Sequence, residues 1–103
     1  GNIKPIENII PKDYKIPHIG WNRLTLNKEK EISPIYKYIK NGDYVYFVHS
    51  YYGAECDEYV TARAEYGAML TASVQNKNVY GTQFHPEKSG RVGLDILRAF
   101  CEI

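Results

Sequence analysis

The apolar positions change their period along the chain, and each change marks a different kind of element. Ile3 to Ile10 has apolar residues without helical spacing, and Pro5 and Pro11 oppose a helix, so the segment reads as extended. Pro17-His18-Ile19-Gly20-Trp21-Asn22 mixes a rigid residue, a flexible one and a large aromatic, and reads as a loop or strand end. Ser33 before Pro34 sets an N-cap residue ahead of a proline at the first helical position. Ile35, Tyr38 and Ile39 then supply an i, i+3, i+4 face up to the stop at Asn41-Gly42, which predicts one short helix.

Tyr44 to Tyr52 is dense in aromatic and β-branched residues and predicts a strand covered on both faces, ending at Gly53. Tyr59–Ala64, Ala68–Val74 and Val79–Phe84 read as further strands, the last two joined through Gln75-Asn76-Lys77-Asn78 as a hairpin turn. From about Arg91 to Glu102 the period becomes helical. Val92, Ile96, Leu97 and Phe100 mark the expected buried face, and Ser89 or Gly90 can cap the start. Strands that predominate and a closing helix indicate part of an α/β or α+β sheet with covering helices.

Composition narrows the function classes. With 103 residues, 44% hydrophobic and 24% charged, the chain fits one small domain. A formal charge of +1 gives no field of one sign to draw nucleic acid or an anionic membrane, so neither is an expected partner. The apolar runs are far shorter than the roughly 20 residues that span a bilayer, and the start lacks a signal pattern. A soluble, cytoplasmic protein is expected. The chain opens Gly1-Asn2-Ile3 and its only methionine is Met69, so it is expected to begin inside a longer protein.

Two cysteines, Cys56 and Cys101, lack the CxxC spacing of zinc or redox sites. Glu55, Asp57 and Glu58 crowd Cys56 with negative charge that disfavours a thiolate. Cys101 is expected to pack near the helix end. His18, His49 and His85 have no metal-ligand spacing, so no metal site is expected.

The chemistry concentrates in Gly81-Thr82-Gln83-Phe84-His85-Pro86-Glu87-Lys88-Ser89-Gly90. Side chains two apart in an extended segment point the same way, so His85 and Glu87 can meet at a strand end. Pro86 disfavours the helical region for the residue before it and holds His85 extended. Glu87 can accept the Nδ1 proton and leave Nε2 as a base, the orienting half of a nucleophile, histidine and carboxylate triad. On spacing alone, a His-x-Glu pair more often describes a polar turn.

Taken whole, those ten residues closely resemble the histidine and glutamate signature of class I glutamine amidotransferases, in particular of the glutaminase subunits that serve imidazole glycerol phosphate synthases. Pro17-His18-Ile19-Gly20-Trp21-Asn22 and Tyr46-Phe47-Val48-His49-Ser50-Tyr51-Tyr52 resemble two further motifs of that family, in its order. Tyr66-Gly67 and Val92-Gly93-Leu94 with Leu97 and Phe100 continue the likeness. The family's Gly-x-Cys-x-Gly nucleophile elbow and its glycine-rich oxyanion loop, which lie in its first half, do not occur in this sequence.

The resemblance implies the second half of a class I amidotransferase fold, α/β with a mixed, mostly antiparallel sheet and covering helices, over residues 1–103. It implies that His85 and Glu87 are catalytic, that Ser50 and Tyr51 line the glutamine site, and that Trp21, Tyr46 and Lys88 face a synthase or cyclase subunit. The bland alternatives are ordinary core packing for Trp21, a solvated charge for Lys88 and a buried, hydrogen-bonded strand residue for His49.

The parent enzyme would hydrolyse L-glutamine to glutamate and ammonia through a thioester, without metal or organic cofactor, and pass the ammonia to the cyclase of histidine biosynthesis. Without its cysteine the chain alone is expected to be inactive. Self-association through an exposed sheet edge is also expected. Two rivals are a paralogous amidotransferase of surface-polysaccharide sugar pathways and a non-catalytic binding module.

Overall fold

The computed structural model describes residues 1–29 and 31–103. Its strands are β1 (Asn2–Pro5), β2 (His18–Arg23), β3 (Thr25–Leu26), β4 (Tyr44–His49), β5 (Tyr51–Ala54), β6 (Val60–Glu65), β7 (Met69–Asn76) and β8 (Val79–Thr82), and its helix is α1 (Gly90–Cys101). All pairings among the described residues are antiparallel. β1 pairs with β5, β2 with β4, and β3-β6-β7-β8 form a four-stranded sheet. The mixed, mostly antiparallel α/β architecture is the one expected, divided into three small sheets.

The core gathers between the four-stranded sheet, the β2–β4 ribbon and α1. Leu24, Ile35, Tyr36, Val45, Phe47, Ala62, Ala72, Phe84 and Ile96 form one cluster, and Ile6, Ile10 and Leu70 form a second. Phe47 lies edge-to-face with Phe84 at 5.9 Å, which ties the middle of β4 to the segment entering the His85 region.

Several expected elements differ. The segment from Pro34 makes only a 3₁₀ turn, Pro34–Tyr36, in place of a helix running to Asn41. Tyr36 is fully buried and its hydroxyl lies 2.5 Å from Ser73 Oγ on β7, which anchors the turn to the sheet. Ser33 makes no side-chain cap there.

Tyr44 to Tyr52 is not one strand covered on both faces. It breaks at Ser50 into β4 and β5, and β4 buries Val45, Phe47 and His49 while Tyr44 and Val48 stay exposed. Aromatic density alone suggested two covered faces; burial has period two. Ile3–Ile10 is extended only through Pro5, and Ile6–Asn8 turns as a 3₁₀ unit. The Pro17–Asn22 segment is a full strand, β2, paired with β4 from His18↔His49 to Arg23↔Tyr44.

The hairpin at Asn76–Val79 forms as expected, with Lys77 in the left-handed region at φ 57°. On α1 the buried residues are Gly93, Ile96 and Ala99, with Val92 partly buried, whereas Leu97 and Phe100 are exposed. At Gly93 the helix lies so close to the preceding turn that a Cβ would meet the Pro86 carbonyl, while Ile96 joins the core. Cys101, expected to pack, is exposed.

Candidate active site

β8 pairs with β7 up to Thr82, and Gln83 extends the ladder by donating its N–H to the Ala72 carbonyl at 2.7 Å. The chain then leaves that sheet. His85 donates its N–H to the Tyr46 carbonyl on β4 at 3.0 Å, so the residue sits where the backbone crosses from one sheet to the ribbon. Its φ of −103° and ψ of 99° are extended, as the following proline requires. Pro86–Lys88 form a 3₁₀ turn, and Gly90, at φ 59°, uses a left-handed conformation to admit the chain into α1.

The turn brings the two expected side chains together. His85 Nδ1 lies 3.1 Å from Glu87 Oε2, and both groups are partly open to solvent. A carboxylate there accepts the Nδ1 proton, fixing the tautomer that leaves the Nε2 lone pair for proton transfer. Nε2 has no hydrogen-bond partner among the described residues.

Three main-chain and hydroxyl bonds hold the His85 backbone. Ser89, 1% exposed, donates its hydroxyl to the His85 carbonyl at 2.7 Å and accepts the Tyr46 N–H at 2.9 Å. Lys88 N–H donates to the same carbonyl at 3.0 Å. Ser89 stands at the N-cap position of α1 as expected, but its hydroxyl makes no cap and turns back to His85 instead.

Trp21 and Tyr46 are cross-strand partners on the outer face of the ribbon, edge-to-face at 5.9 Å. Trp21 is 55% exposed, so ordinary core packing does not describe it. Lys88 ends the turn that carries Glu87. The ribbon face and the His85 turn are thus neighbours.

Ser50 and Tyr51 lie beyond β4 at the bend into β5, and no hydrogen bond among the described residues joins them to His85 or Glu87. The bend is held by Ile6 N–H on the Ser50 carbonyl at 2.9 Å and by His49 Nδ1 on the Tyr51 carbonyl at 2.8 Å.

His49 belongs to a buried chain of polar groups that sequence spacing does not reveal. A carbonyl can only accept, so His49 Nδ1 carries its proton and Nε2 presents a lone pair. His18 Nδ1, 2.9 Å away, must donate to it, and Asn22 Nδ2 faces His18 Nε2 at 3.4 Å. Asn22 is itself oriented by Nδ2 donating to the Glu65 carbonyl at 2.7 Å and Oδ1 accepting from Arg23 N–H at 2.8 Å. Both imidazoles are therefore neutral. Burial, with a contribution from His49, pushes His18 down to about 4, and burial lowers His49. His18 also stacks between Phe47 and Tyr66 at 5.0 and 4.0 Å. Their paired histidines on β2 and β4 hold the sheet; among the described residues no cluster suited to a metal is found.

His85 and Glu87 form an oriented histidine and carboxylate pair at a sheet crossover on a mixed α/β scaffold. Residues 5–102 match the family model described as glutamine amidotransferase class-I, and the chain belongs to that family. Among its relatives it is similar to imidazole glycerol phosphate synthase subunit HisH of Caldanaerobacter subterraneus subsp. tengcongensis, 56% identical over 97 residues covering 91% of this chain and 45% of that protein. It is likewise similar to the subunit of the same name from Methanothermobacter thermautotrophicus, 45% identical over 94 residues (91% and 46%), and from Methanosarcina acetivorans, 50% over 93 residues (88% and 45%). The chain spans a little under half the length of these curated relatives.

Proposed function

We propose that this chain is the histidine-bearing half of a glutaminase whose other half supplies the cysteine nucleophile and the oxyanion donors. The observation that carries the reading is the His85 Nδ1 to Glu87 Oε2 pair at 3.1 Å, with Nε2 left for proton transfer. In the whole protein His85 takes the thiol proton as sulfur attacks the glutamine amide carbon, then delivers a proton to the departing ammonia. Water afterwards hydrolyses the thioester to glutamate. Ser50 and Tyr51 contact glutamine; Trp21, Tyr46 and Lys88 face the synthase partner that receives ammonia.

The shared name of the relatives favours imidazole glycerol phosphate synthesis, in histidine biosynthesis, over a sugar-pathway paralogue. The exposed outer face of the ribbon, with Ile19, Trp21 and Tyr44 open to solvent, suits a partner subunit. No helix of the described residues is long and apolar enough to cross a membrane.

The test is glutamate release from glutamine, with and without a synthase partner, by the full-length protein, its His85→Ala variant and the 103-residue chain. General acid and base catalysis by a positioned side chain contributes about 10²- to 10⁴-fold, so His85→Ala should lose at least that much. Turnover by the short chain alone would make Cys56 or Cys101 a nucleophile and overturn the division of the site.

A further inference from the structure

We propose that Ser89 is a positioning residue for His85, a role that rests on reading His85 as the proton carrier. The argument begins with an incomplete ladder. His85 N–H reaches the Tyr46 carbonyl at 3.0 Å, as a paired strand residue would, but the return bond from Tyr46 N–H goes to the Ser89 hydroxyl at 2.9 Å. That hydroxyl passes its own proton to the His85 carbonyl at 2.7 Å. One side-chain oxygen therefore stands in for a backbone partner and closes a ring from Tyr46 through Ser89 to His85 and back.

The ring is built, not incidental. Ser89 is 1% exposed, and its accepting and donating capacities are both used. Its main chain is fixed as well: its N–H donates to the Pro86 carbonyl at 3.1 Å and its carbonyl accepts Gly93 N–H at 3.2 Å. A side chain at Gly93 would meet the Pro86 carbonyl oxygen at 1.8 Å, so α1 is seated directly against the turn that carries Glu87. With the carbonyl and N–H of His85 both anchored, the imidazole starts from a fixed Cα, and Glu87 needs only to set its rotation. Removing the hydroxyl leaves the Tyr46 N–H buried without its acceptor and releases one side of the clamp.

The experiment uses Ser89→Ala and the near-isosteric Ser89→Cys in the full-length protein, with kcat, KM and the pH profile of glutamate release. Amide exchange at Tyr46 and His85 is measured alongside. Misplacement of a reacting group by about 1 Å costs on the order of 10²-fold in rate, so kcat should fall toward that factor with KM for glutamine little changed, and the acid limb of the pH profile should move. Both amides should exchange faster. A folded variant with unchanged kcat and pH profile would overturn the positioning role, as would unaltered exchange at both amides. Full activity in His85→Ala would instead remove the proton-carrier reading, while the exchange data still report on the clamp itself.

Discussion

Glu87 Oε2 lies 3.1 Å from His85 Nδ1 across a proline, in a turn whose backbone is fixed at both ends. The carboxylate's task at this distance is orientation, because it selects the tautomer and the ring plane. Replacing it with glutamine, whose amide can present either a donor or an acceptor, blurs that selection. Glu87→Gln is expected to lower kcat for glutamate release by up to about 10⁴-fold, because the amide can select the wrong tautomer, with KM nearly unchanged. An unchanged kcat would mean that Glu87 does not orient the imidazole.

A second prediction concerns Gly93, the point of nearest approach between α1 and the Pro86–Lys88 turn. With a Cβ placed 1.8 Å from the Pro86 oxygen, either the helix or the turn must move. Gly93→Ala is expected to destabilise the fold by about 1–3 kcal/mol despite alanine's better helix propensity. Urea unfolding checks it, and a stabilised variant would contradict the close packing.

Acid should weaken the fold through the His18–His49 chain. The folded-state value of His18, about 4, lies below its ordinary value of 6.5, so between those two the unfolded chain binds more protons. The contribution is fully present above about pH 6.5 and is lost as pH falls toward 4. His49, lowered in the same direction by burial, adds to it. Urea midpoints measured from pH 7.5 to 4.5 should decline, and less steeply in His18→Gln.

Tyr36 offers a test of the buried hydroxyl network. Its phenol meets Ser73 Oγ, which Thr61 Oγ1 also reaches at 2.7 Å. Burial pushes the phenol's ionisation well above its ordinary range, so it works as a neutral hydrogen-bonding group. Tyr36→Phe keeps the ring and deletes one bond, at a cost of about 1 kcal/mol. Tyr36→Ala should cost about 3–5 kcal/mol, comparable to other large core truncations. Similar losses for both would place the stabilisation in the hydroxyl.

β8 is paired on one side only among the described residues, leaving an edge with unsatisfied N–H and C=O groups beside the strongly exposed Val79. The isolated chain is expected to self-associate with rising concentration on size-exclusion chromatography. A stable monomer across the concentration range would show that this edge is protected.

Much of the scaffold was readable because burial writes itself into residue type. The expected limits of β6, β7, β8 and α1 fall within two residues of the observed ones, and the Lys77 hairpin joins β7 to β8 as expected. The His85–Glu87 pairing followed from alternation and from Pro86. What escaped depended on tertiary contacts. Nothing in Ile35-Tyr36-Lys37-Tyr38-Ile39 says that Tyr36 will be anchored to Ser73 or that the segment forms only a 3₁₀ turn. Leu97 and Phe100 are exposed while Ile96 is buried with Gly93 and Ala99, and at Gly93 the Pro86 carbonyl leaves no room for a Cβ. Ser89 bonds main-chain atoms of Tyr46 and His85, and such bonds carry no side-chain signature at the other end. His49 lies 31 residues from His18 and meets it only once β2 and β4 are in register.

Tyr46 turns its ring toward Trp21 on the outside of the ribbon and gives its backbone carbonyl to His85. A single residue is thus the hinge pin between a surface and an imidazole, with no loop between them to absorb slack. A substitution at Tyr46 therefore reaches the exposed face through its ring and the His85 main chain through its backbone.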